Sequence, residues 1–194
     1  MSSIKLPDGI DYSVYNANSG MSTKHWGPAA WKFLFTSIMG RYPVNIDMEN
    51  SEHIIIKNAF KHMLISLQTV MPCIYCRESF KKFLLELPIE PYLIGRIELM
   101  YWLYLMKDKV NQKLLNQENQ CYTDEKRKLK VLFYNGSITE TEYYNKVNAF
   151  KEETFNTIPT PSFKEILDQY ENLRAVCSDK AKTCALPKKS KKYF

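Results

Sequence analysis

Apolar residues recur at i, i+3, i+4 and i+7 through four successive stretches of the chain, a spacing that gathers them on one face of a helix each time. The first begins near His25-Trp26-Gly27-Pro28 and carries Trp31, Leu34, Phe35, Ile38 and Met39, with Gly40 and Pro43 closing it. The second holds Ile54, Ile55, Ala59, Phe60, Met63, Leu64 and Leu67 and runs up to Pro72. The third packs through Phe80, Phe83, Leu84 and Leu87 before Pro88 and Pro91 break it. The fourth and longest extends from about Tyr92 to Leu115, with Leu93, Ile97, Met100, Tyr101, Tyr104, Leu105, Val110 and Leu114 turned inward. Four such helices on short connections predict an all-α fold, a four-helix bundle.

The flanks read differently. Residues 1–22 mix Ser, Asn, Gly and Asp with isolated apolar positions and predict an irregular arm. Past the fourth helix, a charged segment from Asp124 to Lys130 and an Asn135-Gly136 turn precede Thr139-x-x-Glu142, a capping box for a short helix through Val147 and Phe150. Thr160-Pro161-Ser162 starts a further helix with Phe163, Ile166, Leu167, Tyr170, Leu173 and Val176 on one face. The expected division is an arm at 1–22, a core at 23–118, a C-terminal helical extension at 119–178 holding an insertion at about 122–158, and a basic tail at 179–194.

Composition narrows the function classes. A chain of 194 residues, 45% hydrophobic, buries one sizeable core. It has six glycines and no GxGxxG, GxxxxGKS or GxxxxGKT loop, so a nucleotide cofactor would be held by side chains and helix faces. Much of the net charge of +6 sits in Pro187-Lys188-Lys189-Ser190-Lys191-Lys192, read as a solvated terminus, and no nucleic-acid partner is expected. No leading apolar segment and no apolar run of spanning length occurs, which predicts an intracellular chain, neither secreted nor membrane-spanning. Five cysteines without a signal segment fit no secreted disulfide framework and point to redox chemistry inside a cell.

That chemistry centres on Pro72-Cys73-Ile74-Tyr75-Cys76-Arg77. Proline favours the first helical position, so Cys73 is expected near a helix N-terminus, where unpaired N–H groups and the helix dipole stabilise a thiolate. Haem attachment needs His after the second cysteine, and Arg77 stands there. A zinc ribbon needs a second ligand pair; Cys177 and Cys184 are seven positions apart and His25, His53 and His62 are scattered, so no metal site is predicted. A thioredoxin-like site needs strands around the motif, and both flanks are helical in period. What remains is a redox dithiol on a helical protein, or two buried cysteines without a role.

Residues 26–114 resemble the Erv/ALR family of FAD-linked sulfhydryl oxidases, and more narrowly the versions carried by large cytoplasmic DNA viruses. The matching pieces are Trp26-Gly27-x-x-x-Trp31, Tyr42-Pro43, Pro72-Cys73-x-x-Cys76-Arg77, and Trp102 followed in register by Val110-Asn111-x-Lys113-Leu114. The family pattern has a histidine where this chain carries Phe35, and His-Asn where it carries Lys107-Asp108. The resemblance implies a helical bundle enclosing FAD, with Cys73 as the outer sulfur that exchanges with incoming thiols and Cys76 as the flavin-proximal sulfur that attacks the ring. It implies cofactor contacts from Trp26, Gly27 and Trp31 on the first helix. Tyr104, Lys107, Asp108, Val110, Asn111 and Lys113 would line the adenine, ribose and phosphates. The competing reading of Trp26, Trp31 and Trp102 is aromatic core.

The implied reaction oxidises thiol-containing protein substrates, or a thioredoxin-like relay protein, and passes electrons through FAD to oxygen, giving hydrogen peroxide. A homodimer is implied, located in a host cytoplasm or a virion. Cys121 stands where the family often places half of a structural disulfide. Cys177 and Cys184 bound a short polar loop that a disulfide would close, as a staple or as a shuttle; a Cys121–Cys177 bridge is the other pairing. Two alternatives from other classes stay open: a non-catalytic helical interaction module with a metal-binding or inert Cys-x-x-Cys, and a flavin dithiol reductase not coupled to oxygen.

Overall fold

In the computed structural model the described residues are 7–15, 20–178 and 183–185. They form six α-helices, α1 (Thr23–Arg41), α2 (Ser51–Val70), α3 (Ile74–Glu86), α4 (Arg96–Tyr134), α5 (Glu140–Thr154) and α6 (Phe163–Glu171). A short hairpin follows, β1 (Val176–Ser178) antiparallel to β2 (Thr183–Ala185). The fold is helical, as the periodicity predicts. Among the described residues no helix is long and apolar enough to cross a membrane.

The starts and stops follow local chemistry. The Asn50 side chain accepts from the N–H groups of Glu52 and His53 to cap α2, and the expected capping box closes α5 through Thr139 and Glu142. A second capping box, Ser162 with Glu165, starts α6. Gly136, at φ +76°, ends α4 in the turn expected at Asn135-Gly136.

The core lies where α1, α2, α3, α4 and α6 meet. Phe35, Ile38, Leu64, Leu99, Met100, Trp102, Leu103 and Met106 are fully buried. Phe35, which stands where the family pattern has histidine, stacks on Tyr170 of α6 at 5.0 Å between ring centroids. Trp102 is fully buried in the core, its indole N–H donating to the Leu87 carbonyl at 3.1 Å. The connection after α1 is pinned across the bundle. Tyr42 donates its hydroxyl to the Leu93 carbonyl at 2.9 Å, Arg96 Nε donates to the Tyr42 carbonyl at 2.7 Å, and Asn45 bridges to Gly95.

Two expectations about the fourth helix change. It starts at Arg96, after a separate turn at Glu90–Tyr92, and it does not stop near Leu115 but continues to Tyr134. No proline or glycine interrupts residues 96–134, and α5 folds back along the second half, burying Leu129 and Val147. Its inward face also differs, since Ile97, Tyr101 and Leu114 are over 40% exposed. The buried positions Leu99, Met100, Trp102, Leu103 and Met106 span a wide arc because α1, α3 and α6 all pack against this helix. In the first turns of α2 the buried residue is likewise Ile56, and Ile55 faces solvent.

Candidate active site

Cys73 does not follow a proline at the first helical position; Pro72 lies one residue earlier and Cys73 is itself the N-cap of α3. Its extended backbone (φ −127°, ψ 122°) turns the sulfur back over the first turn, where it accepts from the Cys76 N–H at 3.3 Å. A sulfur here takes the place that a Ser or Asp oxygen takes in an ordinary cap, and an anionic sulfur is the better acceptor. Cys76, one turn further in, is also half-buried, and both are free thiols.

Their environments push the two thiols apart. Burial raises Cys73. Hydrogen bonds from the Cys76 thiol and from the N–H groups of Cys76 and Tyr75, together with the charge of Lys113, outweigh it and bring Cys73 below the ordinary thiol value. Cys76 is pushed up to about 12, first by burial and then by the hydrogen bond and negative charge of Cys73, against weaker opposition from Lys113 and Arg77. In the dithiol, the outer sulfur is therefore the first of the two to ionise and the inner one holds its proton more tightly.

Three elements hold the motif from outside α3. Arg77 donates to the Met71 carbonyl, tying the first turn to the chain that enters it. The segment before α1, expected to be a loose arm, docks here: Met21 N–H donates to the Pro72 carbonyl at 3.0 Å, and Trp26 Nε1 donates to the Met21 carbonyl at 3.2 Å. A Cβ on Gly20 would lie 2.4 Å from that same Pro72 oxygen. From α4, Lys113 donates to Ser79 Oγ, and Ser79 donates to the carbonyl of Tyr75, between the two cysteines, at 2.7 Å. Gly20, Met21 and Ser79 carry no motif of their own; only Ser79's place one turn past Cys76 hints at a role.

The expected cofactor residues fall into three groups. Trp26 and Trp31 sit half-buried on α1, and the space above Gly27 is open: a Cβ there would meet nothing within 4 Å. On α4, Leu99, Leu103, Met106, Val110 and Lys113 lie on one stripe at spacings of four and three. The first three are fully buried, while Val110 and Lys113 are partly exposed, so the stripe leaves the core beside the sulfur pair. Asp108 and Lys113 also line a groove of about 640 Å³ between α3 and α4, with Ser79, Phe83 and Lys109. Tyr104 and Asn111 face another way. Segment 156–163 straps along α4 and meets Glu118, Asn111 and Tyr104 in turn. Glu118 accepts from the N–H groups of Asn156 and Thr157, Asn111 donates to Thr160 Oγ1 at 2.8 Å, and Tyr104 packs on Phe163.

These features fit a flat, anionic cofactor such as FAD. The indoles offer aromatic faces, Gly27 leaves approach room, and Lys107 and Lys113 have no carboxylate partner among the described residues. Burial holds the Lys107 ammonium below its ordinary value, the mark of a desolvated cation without compensation. Neighbouring Lys109, by contrast, is neutralised by Glu86 at 2.8 Å. Of the remaining cysteines, Cys121 is exposed and free on α4. The hairpin register sets Cys177 directly opposite Cys184, a backbone pairing whose Cα separation of about 4.5–5.5 Å lies in the range a disulfide spans. Of the expected basic tail, 183–185 form β2, and the lysine run at 188–192 lies outside the described residues.

A family model described as Erv1 / Alr family matches residues 28–130, from the first turns of α1 into the second half of α4. No curated protein matches the chain.

Proposed function

As the chain belongs to the Erv1/Alr family, whose model covers more than half of it, we propose that it is an FAD-linked sulfhydryl oxidase forming disulfides in protein thiols. The observation that carries this reading is the Cys73-x-x-Cys76 pair at the start of α3, with Cys73 as N-cap accepting from the Cys76 N–H at 3.3 Å and both thiols half-buried, an arrangement that lowers Cys73 and raises Cys76. A substrate thiolate attacks Cys73 Sγ of the Cys73–Cys76 disulfide, the Sγ–Sγ bond breaks, and Cys76 leaves with the electron pair. The second substrate thiol then displaces Cys73 from the mixed disulfide. The substrate departs oxidised by two electrons, and both cysteines are left as thiols. Cys76, being further in, is the sulfur that faces the cofactor.

FAD, when bound, supplies a two-electron acceptor that oxygen regenerates, with hydrogen peroxide as product. Trp26, Gly27 and Trp31 would hold it from α1, and Lys107, Asp108, Val110 and Lys113 from α4, while Tyr104 and Asn111 are engaged by segment 156–163. The family resemblance, and its narrower likeness to the viral versions, also implies a homodimer acting on a thiol protein or a thioredoxin-like relay.

The test is direct. The purified chain, refolded with FAD where needed, is yellow and consumes oxygen with a small dithiol, releasing peroxide. Cys76→Ser stops oxygen uptake and keeps the colour. Protein that stays colourless, or unchanged turnover in that variant, overturns the reading. Flavin reduction without peroxide identifies a reductase with another acceptor.

A further inference from the structure

We propose that Lys113 is a positioning residue for the sulfur pair: anchored by Ser79, its ammonium serves whichever of the two cysteines carries the negative charge. This deepens the oxidase reading and rests on it for the identity of the reaction, while its geometry stands on the dithiol alone.

Lys113 belongs to the stripe of α4 that leaves the core beside α3, and its ammonium is bonded to Ser79, one turn past Cys76. Ser79 cannot neutralise it. The serine hydroxyl is already committed as a donor to the Tyr75 carbonyl, so it presents its oxygen to the ammonium. The relay therefore runs from Lys113 through Ser79 to the backbone between the cysteines. Of the three lysines that line the groove, Lys82 and Lys109 are paired with Glu86, so Lys113 differs from both in what compensates it. Among the described residues Lys113 has only a hydroxyl for a partner, and its charge favours the ionised form of both cysteines.

Few other charges face the pair. From α3 there is Arg77, which favours the ionised form of Cys76 and whose guanidinium is engaged by the Met71 carbonyl. The segment packed against Pro72 and Cys73 offers only Gly20 and Met21, neither charged. Among the described residues Lys113 is thus the cation common to both sulfurs.

Its role alternates with the state of the motif. In the dithiol it favours the Cys73 thiolate. When a substrate thiolate attacks Cys73, the new bond joins substrate sulfur to Cys73 and the broken bond releases Cys76 with the electron pair. Cys73 is then neutral and cannot raise Cys76 by its charge, so two of the three causes that raise Cys76 involve a partner that has changed. What remains is burial against Lys113 and Arg77, and the ammonium stabilises the departing thiolate.

The experiment measures alkylation of the reduced, full-length protein by iodoacetamide under anaerobic conditions across pH, with Cys73, Cys76 and Cys121 resolved by peptide mass. Lys113→Met is expected to move the Cys73 profile to higher pH and slow its alkylation at neutral pH by about threefold or more. Lys113→Arg restores the profile, and Ser79→Ala, which keeps the charge but unties it, shifts it in the same direction by less. Cys121 serves as the internal control and stays unchanged. An unmoved Cys73 profile in Lys113→Met overturns the proposal, as does a shift that Lys113→Arg fails to reverse. Flavin absorbance is read on the same samples. Loss of flavin in Lys113→Met with an unmoved profile makes Lys113 a cofactor residue only. Absence of flavin from the unaltered protein defeats the oxidase reading and leaves the Lys113 result to be judged on the thiol alone.

Discussion

Replacing Gly20 by alanine tests whether the segment before α1 is part of the redox centre. The added Cβ would lie 2.4 Å from the Pro72 carbonyl oxygen and 3.5 Å from Cys73 Cα. The first obstacle is backbone, not a flexible side-chain end, so the segment must retreat by about 1 Å to reach an ordinary contact. The Met21 N–H to Pro72 carbonyl bond, now 3.0 Å, then falls outside hydrogen-bonding range. One such bond contributes about 1 kcal/mol net, which is about a fivefold change in the local opening equilibrium. Hydrogen exchange at the Met21 amide should therefore quicken about fivefold, while the melting temperature falls by no more than about 4 °C because the helical core is untouched. Unchanged Met21 exchange would refute the contact. A fall in melting temperature well beyond that bound would mean that the segment is a structural member of the core, not a clasp on the motif.

Other perturbations separate the remaining parts of the structure. Gly95→Ala brings a Cβ within 2.6 Å of the Val44 carbonyl oxygen, where the chain after α1 is pinned to the start of α4; a destabilisation of about 2 kcal/mol in chemical denaturation is expected, and a neutral result would show that this crossing yields easily. Tyr42 is pushed up to about 12 by burial, so the stability it contributes is fully present below its unfolded value near 10 and is lost as pH rises through about 12. Circular dichroism recorded with tyrosinate absorbance should show the helical signal falling in that window; full ionisation with the helices intact would contradict the burial. Glu118→Ala removes the acceptor for Asn156 and Thr157, and faster proteolytic cleavage within residues 155–162, with the α1–α3 region still resistant, is the expected outcome.

Much of this molecule was legible from local pattern. The apolar period marked α1, α2 and α3, the prolines and glycines marked their ends, and the Thr139–Glu142 box and the Asn135-Gly136 turn were readable because capping and turn formation are decided within a few residues. The Cys-x-x-Cys pair was likewise visible, since its chemistry is written in residue type and spacing. The length of α4 was harder to read: beyond Leu115 its apolar stripe thins, and the helix persists because α5 folds back to cover it. Its buried face was misjudged for a related reason, as three partner helices widen the arc that a simple periodic count narrows to one stripe. Tertiary structure alone decided the rest of the site. Nothing in Gly20-Met21 signals a clasp on Pro72, nothing in Ser79 signals an anchor for Lys113, and the partition of the cofactor candidates between the groove and the strap depends on where 156–163 runs. Sequence determined that two sulfurs would stand one helical turn apart at a helix start. Which of them ionises more readily was decided by burial, which raises Cys76 most, and by the hydrogen bonds that Cys73 accepts at the cap, while Lys113 from α4 favours the ionised form of both.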